Sequence, residues 1–238
     1  MKVIKAEDTR SLEPFRDRII EGDCLEVMKD IPGESIDMIL CDLPYGTTQN
    51  KWDSIIDLDL LFTEYMRIIK PHGAIVLTSS GLFTAKLMLR APEIYKYKLV
   101  WVKSKATNFL NAKKLTGSYG AFSPKHVKSD GSRYPTDIVY FKTAESEGAV
   151  YHPTQKPVEL GRYLIRTYTN PGNIVLDNAC GSGSFCVAAV LEGRSFIGIE
   201  KNEDVALFKK RPVDYIDICN QRIKEAKRTF EAEQQVIS

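Results

Sequence analysis

The stretch Ile174-Val175-Leu176-Asp177-Asn178-Ala179-Cys180-Gly181-Ser182-Gly183-Ser184 leaves a folding chain few options. Its first three residues are apolar and two are β-branched, the composition of a strand buried on both faces. Gly181 and Gly183 then allow a turn that residues with a Cβ resist, and Phe185 to Leu191 continues with helical apolar content. A second strand, Phe196-Ile197-Gly198-Ile199, ends in Glu200, 17 positions after Gly183. Strand, glycine turn, helix and strand make one parallel βαβ unit. The glycines let a ligand approach the main chain, and the helix start offers unpaired N–H groups. An acid at the second strand end can accept from both hydroxyls of a ribose. The third small residue of a Gly-x-Gly-x-x-Gly dinucleotide site falls on Cys186, a poor match.

The rest of the chain repeats the alternation. Strands are predicted near Arg18 to Ile20, Ile36 to Cys41, Ala74 to Thr78, Lys98 to Val102 and Asp137 to Phe141. Helices are predicted near Leu58 to Ile69, Leu82 to Leu89 and Val158 to Thr169, and the tail from Val213 to Gln235 reads as a long terminal helix. Such alternation implies an α/β fold, a mostly parallel sheet with helices on both faces and ligands at the strand C-ends. Asp42, Asp177 and Glu200 all fall at predicted strand C-ends. At 238 residues and 43% apolar content the chain suits one large α/β domain with a full core.

The tetrad Asp42-Leu43-Pro44-Tyr45 closes the strand Ile36 to Cys41. Pro44 has no N–H, so ladder pairing stops there and nearby carbonyl oxygens are free to accept from a ligand. Asp42 adds a carboxylate and Tyr45 a flat ring. A planar heterocycle with an exocyclic amino group fits that set, as a nucleobase drawn out of a duplex would. Read alone, the tetrad is equally an ordinary strand-to-loop turn.

The glycine turn and the tetrad together resemble the amino-methylating DNA methyltransferases that use S-adenosylmethionine, a Rossmann-like fold. The tetrad looks like their Asp-Pro-Pro-Tyr catalytic motif, with Leu43 in place of the first proline. The segment His152-Pro153-Thr154-Gln155-Lys156-Pro157-Val158-Glu159-Leu160 matches one that the family places before the cofactor strand, and Glu21-Gly22-Asp23-Cys24 looks like its Gly-Asp pair at the cofactor's adenine. Motif order resembles the family's β group, and the likeness covers nearly the whole chain. The resemblance implies catalytic roles for Asp42, Leu43, Pro44 and Tyr45. It implies cofactor contacts from Asp23, Cys24, Thr154, Gln155, Lys156, Asp177, Gly181, Gly183, Ser184 and Glu200. Thr154, Gln155 and Lys156 would meet the methionine carboxylate, Glu200 the ribose and Asp23 the adenine. The target it implies is adenine N6, since cytosine-N4 members more often carry Ser where Asp42 stands; cytosine N4 is the runner-up. His152, a loop histidine ahead of Pro153, reads as structural.

Charge singles out the middle of the chain. Between Lys103 and Pro135 lie Lys103, Lys105, Lys113, Lys114, Lys125, Lys128 and Arg133 against one acid, Asp130, a balance of +6. The whole chain carries only +2, so the remainder is −4. Phe109, Tyr119, Phe122 and Tyr134 are interleaved with these cations, a pattern suited to phosphate contacts and stacking. In the β group the target-recognition region is central, so about 103–135 is the expected insert in a catalytic domain spanning 1–238. Duplex DNA is the expected partner, and the resemblance is compatible with a homodimer and with a restriction endonuclease that shares the site. Asn50-Lys51-Trp52-Asp53 follows the tetrad closely enough to form a lid, touch DNA or anchor the core.

Other classes fit less well. A non-catalytic DNA-binding module of the same fold need not keep Asp42, Pro44 and Tyr45. An NAD-dependent oxidoreductase is opposed by Cys186 and by the basic segment. No apolar run is long enough for a membrane span, and Met1 to Asp8 carries acids where a signal peptide is apolar. The five cysteines, with no Cys-x-x-Cys pair, read as reduced thiols of a cytoplasmic protein without a metal site.

Overall fold

The computed structural model describes residues 10–46, 54–103, 137–202, 206–208 and 211–237. Strands β1 (Arg18–Glu21), β2 (Ile36–Cys41) and β3 (Ile69–Leu77) belong to one sheet, while β4 (Val100–Lys103) and β5 (Ile138–Phe141) pair with each other. Strands β6 (Ile174–Asp177) and β7 (Ser195–Glu200) complete the main sheet, in the order β1-β7-β6-β2-β3 with every pairing parallel. A short antiparallel pair, β8 (Ala206–Phe208) and β9 (Arg211–Val213), precedes the last helix.

The apolar runs of β2, β6 and β7 are buried on both faces because alternate residues feed two cores. Ile39, Cys41, Ile174, Leu176, Ile197 and Ile199 point to one side, covered by α1 (Cys24–Lys29), α2 (Leu58–Ile68) and α3 (Gly81–Arg90). Met38, Leu40, Val175 and Phe196 point to the other, covered by α4 (Val158–Tyr168), α5 (Ser184–Leu191) and α6 (Tyr215–Ile237). Helix α5 is buried from Ser184 to Val190, as expected of a helix apolar on all sides. It lies between the sheet, α4 and α6. Gly161 of α4 permits the close crossing, since a Cβ there would stand 2.8 Å from the Phe185 ring. On α6 the buried residues Tyr215, Cys219, Ile223 and Ala226 recur at helical spacing. Each fully buried Ile, Leu or Phe contributes roughly 1.5–3 kcal/mol.

Three features depart from the sequence reading. Strands β4 and β5 stand apart from the main sheet, and α1 was not foreseen. Helix α1 is short, and its N-cap is Asp23, whose side chain accepts from the Leu25 N–H at 2.9 Å. Strand β3 also starts earlier than expected. Ile69 pairs with Ile36, an irregularity follows, and Pro71 is tolerated because β3 is an edge strand. Asp37 ties three strands at this end, accepting from Lys70 Nζ at 2.8 Å and the Ile174 N–H at 2.9 Å. Among the described residues no helix is long and apolar enough to cross a membrane.

The strand order decides where a ligand can sit. From β6 the chain passes through α5 to β7 on one side, whereas from β2 it passes through α2 to β3 on the other. The loops leaving β6 and β2 therefore diverge, opening a crevice above the C-ends of adjacent strands.

Candidate active site

Parallel pairing brings four acids to one edge of the sheet. Asp42 follows β2 directly, Asp177 ends β6, Glu200 ends β7 and Asp23 stands just past β1. All four line one cavity. Of the described residues expected at the site, Gly183 alone is missing from the lining.

At the β2 end, Asp42 is surrounded by donors. Its Oδ1 accepts from the Tyr45 hydroxyl at 2.9 Å and from the Thr78 hydroxyl, and its Oδ2 accepts from Lys156 Nζ. The two hydroxyls lie 2.9 Å apart, so two protons serve three oxygen–oxygen contacts. Burial and the Asp42 charge push the Tyr45 phenol up, which makes it a donor and not a base. Its ring stacks on Phe83, centroids 5.1 Å apart. Leu43 is buried in the core cluster with Ile39, Leu61 and Phe62, so the departure from proline places an apolar side chain inward. The Lys156 ammonium, expected on the cofactor side, stands on the Asp42 carboxylate, with a second acceptor in the Thr154 carbonyl at 3.3 Å.

At the β6 and β7 ends, the acids are held by main chain and burial. Glu200 accepts from the Gly181 N–H at 2.7 Å and the Asn202 N–H at 3.3 Å, and burial raises its pKa. Asp177 is 3% exposed. Burial first, with the Asp42 and Glu200 charges, pushes it up to about 8 against the opposing Cys41 and Ala179 hydrogen bonds. Gly181 has φ +52°, and a Cβ would meet nothing nearer than the His152 ring at 3.8 Å. Gly183 has φ +76°, and a Cβ there would meet Cys219 Sγ at 2.9 Å. The lack of a Cβ at Gly183 therefore permits close packing against α6.

The segment after Tyr151 latches onto this turn. Gln155 Oε1 accepts from the Tyr151 N–H at 2.9 Å and the Ser182 hydroxyl at 3.1 Å. Arg222 of α6 donates to the Ser182 carbonyl, to the Ser182 hydroxyl at 3.2 Å and to the Ser184 hydroxyl at 3.3 Å. His152 Nδ1 accepts from the Thr154 N–H at 3.2 Å, and burial pushes the ring down to about 4, so it is neutral at pH 7. Cys24 is buried, its thiol raised to about 11 mainly by that burial. Beneath the turn, Tyr65 donates to Asn178 Oδ1 at 2.5 Å.

Thr78 and Arg222 make contacts at the site that sequence reasoning did not single out. Thr78 could have been found as the predicted C-end of the strand beside β2. Nothing in the sequence around Arg222 distinguishes it from the other polar residues of a long helix. Of the expected DNA-contacting cations, Lys103 lies 4.8 Å from the Trp101 ring centroid. Lys105, Lys113, Lys114, Lys125, Lys128 and Arg133 fall outside the described residues, as does Asn50 to Asp53.

The donor set fits S-adenosylmethionine. A crevice edged by carboxyls suits a ligand with a cationic centre, Gly181 leaves room for close main-chain approach, and Glu200 can accept from hydroxyls.

Comparison with known proteins bears on the fold and the family. The model of the family described as DNA methylase matches residues 83–210. "DNA adenine methyltransferase YhdJ" of Escherichia coli (strain K12) is 30% identical over 244 aligned positions, spanning 82% of this chain and 82% of that one. "Type II methyltransferase M.HinfI" of Haemophilus influenzae is 26% identical, spanning 91% of this chain and 71% of that one. Among solved structures, the M1.HpyAVI–SAM complex superposes with a TM-score of 0.61 at 23% identity, covering 87% of this chain and 98% of that one.

Proposed function

The chain belongs to the DNA methylase family, and we propose that within it the target atom is adenine N6 of a base extruded from duplex DNA. It is an amino-methylating DNA methyltransferase, and its cofactor is S-adenosylmethionine. The observation that carries the adenine reading is Asp42 itself, a carboxylate at the end of β2 that faces the cavity edged by Glu200 and Asp177. Similarity to a relative named for adenine methylation supports it.

Adenine N6 is a weak nucleophile because its lone pair is delocalised into the ring. Asp42 Oδ2 accepts one amino hydrogen and the Leu43 or Pro44 carbonyl the other, which returns electron density to nitrogen and favours the tetrahedral geometry of attack. Thr78 and the Tyr45 hydroxyl fix the carboxylate through Oδ1. The Tyr45 ring holds the base, and stacking contributes roughly 1–3 kcal/mol against an extrusion cost of about a few kcal/mol. Bound S-adenosylmethionine supplies a methyl group already activated by its positive sulfur. The protein's share of the rate is then alignment of N6 with that methyl group. Glu200 holds the ribose and Asp23 the adenine of the cofactor. The cations of about 103–135 contact phosphates, forming the target-recognition insert of one catalytic domain.

The test is transfer of a labelled methyl group to mixed-sequence duplex DNA, followed by digestion to nucleosides and mass analysis. N6-methyladenine is the expected product. N4-methylcytosine would move the target base and reverse the reading of Asp42. Absence of transfer with cofactor bound would favour a non-catalytic DNA-binding module.

A further inference from the structure

The reading of Asp42 as acceptor for the target amino group raises a question of room. A carboxylate offers about four lone-pair sites, and three donors already occupy Asp42. Tyr45 and Thr78 hold Oδ1 and belong to the frame, one on the turn after β2 and the other directly after β3. Oδ2 is the oxygen left for a substrate, and Lys156 Nζ stands on it. Both side chains are largely shielded, at 14% exposure for Lys156 and 20% for Asp42. Lys156 takes one of the two acceptor sites on Oδ2, so an incoming amino group must share that oxygen with the ammonium, and two like donors crowded on one oxygen repel each other. Lys156 also keeps an acceptor when it leaves Oδ2, because Nζ already donates to the Thr154 carbonyl at 3.3 Å. The intervening Gln155 is anchored on Ser182, so the swing can occur without moving the backbone.

We propose that Lys156 is a place-holder on Asp42: it donates to Oδ2 while no base is present and yields that oxygen to the target amino group, withdrawing to the Thr154 carbonyl. The half-buried carboxylate thus stays paired between turnovers. A flexible stem with three rotatable donors suits this exchange, whereas a rigid guanidinium fork does not. Lys156 acts through Asp42 and is a positioning residue.

Two variants pull in opposite directions. Lys156→Met removes the competitor, and KM for DNA should fall on the order of threefold to tenfold, the net worth of about one exchanged charge-assisted hydrogen bond. Lys156→Arg grips the carboxylate with a fork, and KM should rise by a similar factor. In both, the change in kcat should be smaller than the change in KM. The slope of log KM against log salt should match the wild type, because the place-holder touches no phosphate. An unchanged or raised KM in Lys156→Met overturns the proposal. So does a flattened salt slope, which would make Lys156 a phosphate contact. Asp42→Asn, assayed alongside, separates the two levels. If Asp42→Asn still transfers methyl groups at the wild-type rate, the reading of Asp42 itself has failed. If it is inactive while Lys156→Met leaves KM unchanged, the place-holder alone has failed.

Discussion

Asp42 and Glu200 sit at C-ends of strands in the same parallel sheet, yet they are held in different ways. Asp42 is fixed by side chains from three places: Tyr45 after β2, Thr78 after β3 and Lys156 ahead of α4. Glu200 is fixed by two main-chain N–H groups, those of Gly181 and Asn202. A side-chain network can exchange partners when a ligand arrives, because rotamers move while the fold stays. A carboxylate pinned by main chain shapes the turn itself, so it pre-forms a binding surface. Under the proposed function, one end of the cavity would serve turnover and the other standing complementarity.

Exchanging the two acids for alanine gives the largest effects and tests the division. Asp42→Ala should lower methyl transfer by at least about a hundredfold while cofactor affinity, measured by calorimetry, stays within a few-fold. Glu200→Ala should weaken cofactor binding by on the order of tenfold to a hundredfold, through lost acceptors and a loosened Gly181 turn. Loss of both functions in either variant would erase the distinction.

Thr78→Val tests the Asp42 end alone. It is close in shape and removes one donor from Oδ1, so kcat should fall about tenfold with cofactor affinity unchanged. A wild-type kcat would mean that Tyr45 alone suffices to orient Asp42.

The smallest effect belongs to Asp177, between the two ends. Its carboxyl keeps a proton up to about pH 8 in the ligand-free protein. A cation bound in the same cavity favours the ionised form, so binding at pH 7 should release a fraction of a proton. Affinity should then rise with pH and level off above about 8. Calorimetry in two buffers of different ionisation enthalpy measures the release, and equal heats after correction would show that Asp177 does not titrate on binding.

Much of this was legible in the chain. The β-branched runs predicted β2, β6 and β7 within a residue or so, because strands buried on both faces admit little but apolar side chains. The acids that close them were visible for the same reason, as breaks in those runs. Helix α1 was harder to see, since six residues capped by Asp23 carry too little periodicity. The packing of Gly183 against Cys219 was not legible, because a glycine needed for helix packing and one needed for ligand approach look alike in sequence.

The sequence by itself determined the alternating order of elements, the two-sided burial of the central strands and the identities of the acids at their ends. These depend on local composition and period, which a short window carries. Only the tertiary structure decided that Lys156, 114 positions from Asp42, stands on its carboxylate, that Thr78 shares the same oxygen as Tyr45, and that Arg222 braces the Ser182 turn. Those contacts depend on the strand order β1-β7-β6-β2-β3, which sets distant strand ends side by side. Side-chain donors meet across that edge only after every strand has taken its place.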